Sequence, residues 1–275
     1  MGRHARTQSI LKAAIEVIGS ASMAMTVRQV FYQLVSRQVV ENSRSRYQAV
    51  SDLLVAARRE GIIAWTAIED RLRRPRHVAM WHDLGSFIGA VRRSYRRDVW
   101  ADQPRRVEVW LEKDALSGIF EDVLAPYGVT LNVGRGYDGW SSVHAAAERL
   151  DDDDVVLYFG DFDASGEDMV RSLRERLADQ GAEPTIIKCA LTFEDISRYR
   201  LPPDFAKASD TRAAAFTARY GERSSVELDA LPVDVLVARL QTSVEDHLDM
   251  GALARTRADE ERDQARLLAI LEATS

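Results

Sequence analysis

Apolar positions recur at helical spacing through the first sixty residues, then change to short unbroken runs separated by polar turns. The first helical pattern covers about residues 7–18, with Ile10, Leu11, Ala14, Ile15 and Ile18 on one side and Gly19 as a C-cap. The second opens on Thr26-Val27-Arg28-Gln29, where the Thr hydroxyl and Gln side chain can satisfy orphan amides reciprocally. Its apolar stripe is Val27, Val30, Phe31, Leu34 and Val35. The third runs over about 43–60, turns Tyr47, Val50, Leu54 and Ala57 inward and stops at Gly61. Ile62-Ile63-Ala64-Trp65 and the arginines that follow it read as a short hairpin or wing. Three helices and a wing predict a winged helix-turn-helix over residues 1–82.

A linker helix is expected within 83–106, ending at the polar break Ala101-Asp102-Gln103-Pro104. From 107 onward, strands and helices alternate. Val107-Glu108-Val109-Trp110-Leu111 is a strand ending in Glu112-Lys113-Asp114, and Asp114 can cap a helix through Leu124. A second strand over 129–133 leads into the Gly-rich loop 134–139, and Ser141 or Ser142 caps the next helix. The run Val155-Val156-Leu157-Tyr158-Phe159 is a buried strand that feeds Gly160-Asp161-Phe162-Asp163. Gly166 opens a further helix, and 184–190 gives another strand. Such alternation implies a mostly parallel sheet with right-handed crossovers. Residues 233–272 carry two amphipathic helical patterns. The expected class is α/β: an N-terminal winged helix-turn-helix, then a mostly parallel sheet flanked by helices over 107–275, with a helical C-terminus.

Composition narrows the setting. With 46% hydrophobic and 29% charged residues the chain reads as soluble and globular. No run approaches the ~18 apolar residues of a membrane span, so no membrane partner is expected. The basic N-terminus lacks the continuous apolar core of a signal peptide. A single cysteine, Cys189, leaves no internal disulfide and no thiolate zinc cage. A cytoplasmic location fits these features.

The net charge of -6 conceals an asymmetry: residues 1–106 hold 19 Lys and Arg against 9 Asp and Glu, while the remainder is strongly acidic. A basic first part on an acidic chain points to a polyanion such as double-stranded DNA. Arg44, Arg46, Arg58 and Arg59 on the third helix, with Arg71, Arg73 and Arg74 of the wing, are the candidate DNA contacts. A solvated helix face is the plainer reading of the same arginines.

Asp161 and Asp163 stand two apart in an extended segment, so their side chains point the same way and can converge on one cation. Carboxylate oxygens suit a hard ion such as Mg²⁺, with Mn²⁺ as a substitute. Glu112 ends another strand of the expected parallel sheet, which sets all three acids on its carboxyl edge, where functional groups gather. The plainer reading makes the two aspartates helix caps or Asx turns. Arg28 and Tyr32, four apart on the second helix, share a face beside the core stripe, where a guanidinium can orient a phosphate for attack by a tyrosine. Packing is the commoner role for such a tyrosine. Glu227 and Asp229 repeat the alternate spacing and offer a second metal site, or simply favour a helix N-terminus.

A Glu at the end of the first strand, then Asp161-x-Asp163 two crossovers later with a nearby Gly, resembles a Toprim domain, the metal-binding module of topoisomerases, bacterial primases and some nucleases. Thr26-Val27-Arg28-Gln29-Val30-Phe31-Tyr32 is similar to the Arg-x-x-aromatic-Tyr motif in the winged-helix part of topoisomerase VI A subunits and the related meiotic double-strand-break proteins. The resemblance spans about residues 7–200, and 226–232 resembles a closing segment of such proteins. It implies that Tyr32 is a nucleophile that joins covalently to DNA, that Arg28 is its phosphate partner, and that Glu112, Asp161 and Asp163 hold Mg²⁺. Glu112 acting as a general acid/base is the other role it allows. Cutting both strands of a duplex implies a homodimer.

The chain departs from the family in three ways. It has no Gly-x-x-x-x-Gly-Lys-Ser/Thr, so a topoisomerase cycle needs a separate ATPase subunit; it is shorter; and Asp161 to Gly166 lacks a Pro-aromatic pair. These departures leave open a hydrolytic Toprim nuclease in which Tyr32 is not catalytic. Two other classes stand beside it. A haloacid-dehalogenase-like phosphatase also uses a strand followed by Asp-x-Asp, and a non-enzymatic DNA-binding protein would keep the fold without cleavage.

Overall fold

A computed structural model describes residues 2–68, 78–134, 139–203, 213–221 and 225–273. Three helices open the chain: α1 (Gly2–Ser20), α2 (Val27–Ser36) and α3 (Arg44–Arg59). The expected capping box is present on α2: the Thr26 hydroxyl accepts from Gln29 N at 3.1 Å, and Gln29 Oε1 accepts from Thr26 N at 2.8 Å. Ser43 caps α3 by accepting from Arg46 N.

After Gly61 the chain departs from the expected hairpin. Trp65–Ala67 form a single 3-10 turn, and Ile68 makes an isolated parallel bridge to Met25. Ile63 and Ile68 are buried against the helices, so this segment serves as a lid on the three-helix core. Over 62–65 only Ile63 turns inward, while Ile62 and Trp65 stay exposed and no strand forms. The rest of the expected wing, with Arg71, Arg73 and Arg74, lies outside the described residues.

The linker helix is α4 (Leu84–Ser94), opened by Asp83, whose carboxylate accepts from Ser86 N at 2.7 Å. The sheet follows as β1 (Val107–Leu111), β2 (Thr130–Val133), β3 (Val155–Phe159) and β4 (Thr185–Ala190), all parallel in the order β2-β1-β3-β4. The crossovers carry α5 (Ser117–Leu124), α6 (Trp140–Ala147) and α7 (Ala164–Asp179). Beyond β4 come α8 (Phe193–Arg198), α9 (Ala213–Tyr220), α10 (Val233–Glu245) and α11 (Met250–Ala273). Among the described residues no helix is long and apolar enough to cross a membrane.

Alternation along β1 and β3 divides the core. Trp110, Val156 and Tyr158 face α6 and α7, with Val143, Leu173 and Leu177. Val109, Leu111, Leu157 and Phe159 face the opposite way and join a cluster that reaches Phe120 of α5, Leu236 and Leu240 of α10, and Phe31 and Leu34 of α2. The three-helix part and the sheet part therefore share one continuous apolar core. Asp154 is buried; it accepts from Arg106 N at 2.6 Å and Asp151 N at 2.8 Å and closes the entry to β3.

Candidate active site

Glu112 follows β1 and Asp161 follows β3, and the two strands pair in register as Leu111↔Phe159, so the acids emerge side by side on the carboxyl edge. The Asp161 N–H donates to Glu112 Oε2 at 2.9 Å. Two glycines make this approach possible. A Cβ on Gly160 would lie 2.6 Å from Glu112 Oε2, and one on Gly166 would collide with the Asp161 carbonyl. Asp163 fulfils the plainer expectation as well: it caps α7 by accepting from Gly166 N at 2.7 Å.

The segment 226–229 completes the edge. Phe162 and Val226 exchange backbone hydrogen bonds at 2.9 Å in an isolated antiparallel bridge, and Leu228 N donates to Asp161 Oδ1 at 2.9 Å. Glu227 and Asp229 are thereby brought beside Asp161, into the same cluster rather than a second centre. A 3-10 turn over Leu228–Ala230 then packs on α2, which delivers Arg28 and Tyr32.

Arg28 Nη1 donates to Glu227 Oε2 at 2.5 Å across 199 positions of sequence. The Tyr32 hydroxyl donates to the same carboxylate. Tyr32 is only 3% exposed and belongs to the core cluster, so it lies deeper than its position beside the helix stripe predicts. The reason is tertiary: the 226–230 segment covers that face of α2. Lys113, to which the sequence attaches no role, places Nζ 2.8 Å from Asp161 Oδ2 and 3.8 Å from Glu227 Oε1. Its ammonium is the cation at the centre of the acids.

The electrostatics follow from burial and crowding. Glu112 is pushed up to about 7, first by desolvation and then by the charge of Asp161. Asp229, fully enclosed, is pushed up to about 6 by burial against the pull of Lys113 and Arg28. Asp161 is raised by burial in spite of Lys113. Glu227 goes the other way: burial raises it, yet Lys113 and Arg28 together outweigh that and hold it below its ordinary value. Burial works against the charge of Lys113, but Asp161 and Glu227 keep it protonated. Asp229 Oδ1 is buried with no hydrogen-bond partner, an unsatisfied acceptor of the kind that a cation or a proton relieves.

This donor set fits a hard divalent ion in charge and ligand type, since the buried acids outnumber Lys113 and Arg28 and one carboxylate oxygen is orphaned. The side chains as they stand are engaged with backbone amides and Lys113, and among the described residues no three of them are gathered into a ready metal cage.

A cleft of about 910 Å³ opens from this cluster between α2 and the start of α3, lined by Arg28, Tyr32, Arg44, Tyr47, Gln48 and Glu227. Arg44 thus stands at the candidate site. Arg46 is drawn toward Glu41 at 3.9 Å, and Arg58 stacks over the Trp65 ring at 4.9 Å. Arg59 is exposed at the far end of α3. No family model, curated protein or solved structure matches the chain.

Proposed function

We propose that this chain is a DNA-binding, Mg²⁺-dependent strand-cleaving enzyme of the topoisomerase VI A-like type, in which Tyr32 attacks the backbone phosphate. The observation that carries the reading is that Arg28, Tyr32 and Glu227 line one cleft and that Glu227 links them to Lys113, Asp161 and Glu112. Residues from two ends of the chain converge there, and all are of types that serve phosphoryl transfer.

In this reading Arg28 and Arg44 hold the phosphate oxygens. Glu227 orients the Tyr32 hydroxyl and accepts its proton as the phenolic oxygen bonds to phosphorus. The bond to the leaving sugar oxygen breaks, and that oxygen takes a proton from water in the cleft. Glu112, Asp161 and Asp163 would hold Mg²⁺, which supplies charge stabilisation for the phosphodiester. Lys113, paired with Asp161 at 2.8 Å, would hold positive charge beside the phosphate.

The burial of Tyr32 favours a second reading, a hydrolytic Toprim nuclease in which water attacks and Tyr32 is a packing residue. One experiment separates them. End-labelled supercoiled and linear duplexes are incubated with protein and Mg²⁺ or Mn²⁺, then quenched with detergent. Label retained on the protein and lost in Tyr32→Phe supports the covalent route. Cleavage without retained label, undiminished in Tyr32→Phe, assigns the hydrolytic one. DNA binding with no cleavage under either ion overturns both and leaves a non-enzymatic DNA-binding protein.

A further inference from the structure

The cleft between α2 and the start of α3 has two kinds of wall. One is cationic: Arg28, whose side chain is 42% exposed, and the exposed Arg44. The other is aromatic: Phe31 and Tyr32, both buried, and Tyr47, half-buried. The Tyr47 ring meets Phe31 edge-on, with centroids 5.4 Å apart at 86°, and Phe31 lies 5.5 Å from Tyr32. These contacts fix the rings as one wall. The Arg28 guanidinium lies over the Tyr47 ring, 5.8 Å from its centroid, so the two walls meet at that pair, within cation–π reach.

We propose that this cleft receives a single unpaired nucleotide of DNA, its base stacked on the Arg28 and Tyr47 pair and its phosphate held between Arg28 and Arg44. This rests on the strand-cleaving reading and narrows its substrate, from any duplex to a duplex with unpaired bases at the point of attack.

Chemistry, volume and depth all select this occupant. Gripping a backbone takes only cations, and a paired duplex turns its bases inward, which leaves the aromatic wall without a partner. Unpaired bases stack on tyrosine rings and on guanidinium planes alike. At about 910 Å³ the cleft falls within the ~300–1,000 Å³ of sites that enclose one small molecule, which admits a nucleotide and excludes a turn of double helix. Tyr32 is only 3% exposed, whereas a duplex is stiff on this scale and lays its phosphates across a cleft. A nucleotide swung out about its backbone carries base and phosphate inward together. Packing alone accounts for the edge of Tyr47 against Phe31, but not for the exposed part of the ring that lines the cleft.

The test reads binding by the full chain in EDTA, so its outcome is independent of any cleavage activity. Fluorescein-labelled DNA is titrated with protein and followed by anisotropy, in three forms: a fully paired duplex, the same duplex with a short central bubble, and that bubble with abasic sites in place of its bases. The bubble is expected to bind ~10-fold or more tightly than the duplex, and the abasic bubble, equally flexible but without bases to stack, to lose that gain. Tyr47→Leu should bring the bubble down to the duplex, while Tyr47→Phe, which keeps the ring, should retain the preference; the abasic probe gives the same answer with no change to the protein. Equal affinity for bubble and duplex, or a preference that survives abasic sites, overturns the proposal and leaves the cleavage reading standing. So does displacement of the bubble by micromolar free deoxynucleoside monophosphate, which shares the base and phosphate and would assign the cleft to a small nucleotide. A base-dependent preference in a protein that cuts no probe with Mg²⁺ or Mn²⁺ supports the nucleotide site and overturns the cleavage reading instead.

Discussion

Lys113 stands where a metal-dependent reading wants a cation, 2.8 Å from Asp161. The proposed site therefore predicts competition between the ammonium and the ion. Lys113→Met leaves Asp161 buried without its counter-charge, a loss of about 3–5 kcal/mol by analogy with broken buried pairs. The metal-free melting temperature should fall, and Mg²⁺ or Mn²⁺ should raise it by more than in the wild type; an equal or smaller gain would show that Lys113 does not occupy the ion's place. The raised acids carry a pH signature. Glu112, up to about 7, and Asp229, up to about 6, hold protons in the folded state that the unfolded chain has released. Stability from these groups is thus full below the ordinary carboxylate range and is lost as pH rises toward 7. Carboxyls held low, such as Glu227 and Asp195, titrate below that window. Melting of the metal-free protein should decline between about pH 5 and pH 8, and Glu112→Gln should flatten the decline; a level wild-type profile would contradict the assignment. Glu112, Asp161 and Arg28 are legible in the sequence because strand ends and helix faces have fixed periods. The roles of Lys113 and Glu227 are not, since their partners come from segments with no common pattern.

At the scale of elements, the Asp161–Gly166 turn depends on two positions without a side chain. Gly160→Ala forces a methyl to 2.6 Å from Glu112 Oε2 and from the Tyr158 ring, and such overpacking costs typically ~1–3 kcal/mol. Thermal denaturation should show that loss, while Gly19→Ala, whose Cβ meets nothing within 4 Å, serves as the control. The capping box of α2 supports the helix that carries Arg28 and Tyr32. Thr26→Ala should cost about 1 kcal/mol, read as a shift in denaturant midpoint with an unchanged slope. The strands β1, β3 and β4 and the helices α2 and α3 are readable from the chain because buried strands and capped amphipathic helices leave strong local signals. Helix α8 is missed because its six residues are too few for a period to emerge, although Thr192 and Asp195 form a capping box that marks it. The strand expected at 62–65 does not form there: only Ile63 is taken into the three-helix core, while Ile62 and Trp65 stay exposed.

At the scale of the whole molecule, Ala14 of α1 and Leu253 of α11 belong to one apolar cluster. Side-chain contacts such as Asn42 donating to the Pro203 carbonyl and Ser22 to Asp234 tie the three-helix part to the rest. Unfolding should accordingly be a single transition, with circular dichroism and tryptophan fluorescence superimposing; two separated transitions would show that the parts are independent. A shared core was not legible in a sequence whose charge asymmetry and change of period at residue 107 suggest separate units. The span from Arg28 to Glu227 has a further consequence for synthesis. Loop closure over 199 positions places the pairing late in folding, and on the ribosome it must wait until Glu227 has emerged. A nascent or prematurely ended chain can display the basic helices that would grip DNA, yet it lacks the carboxylate that orients Tyr32. Under the proposed chemistry, the cell meets a cutting centre only after the chain has been made through Glu227.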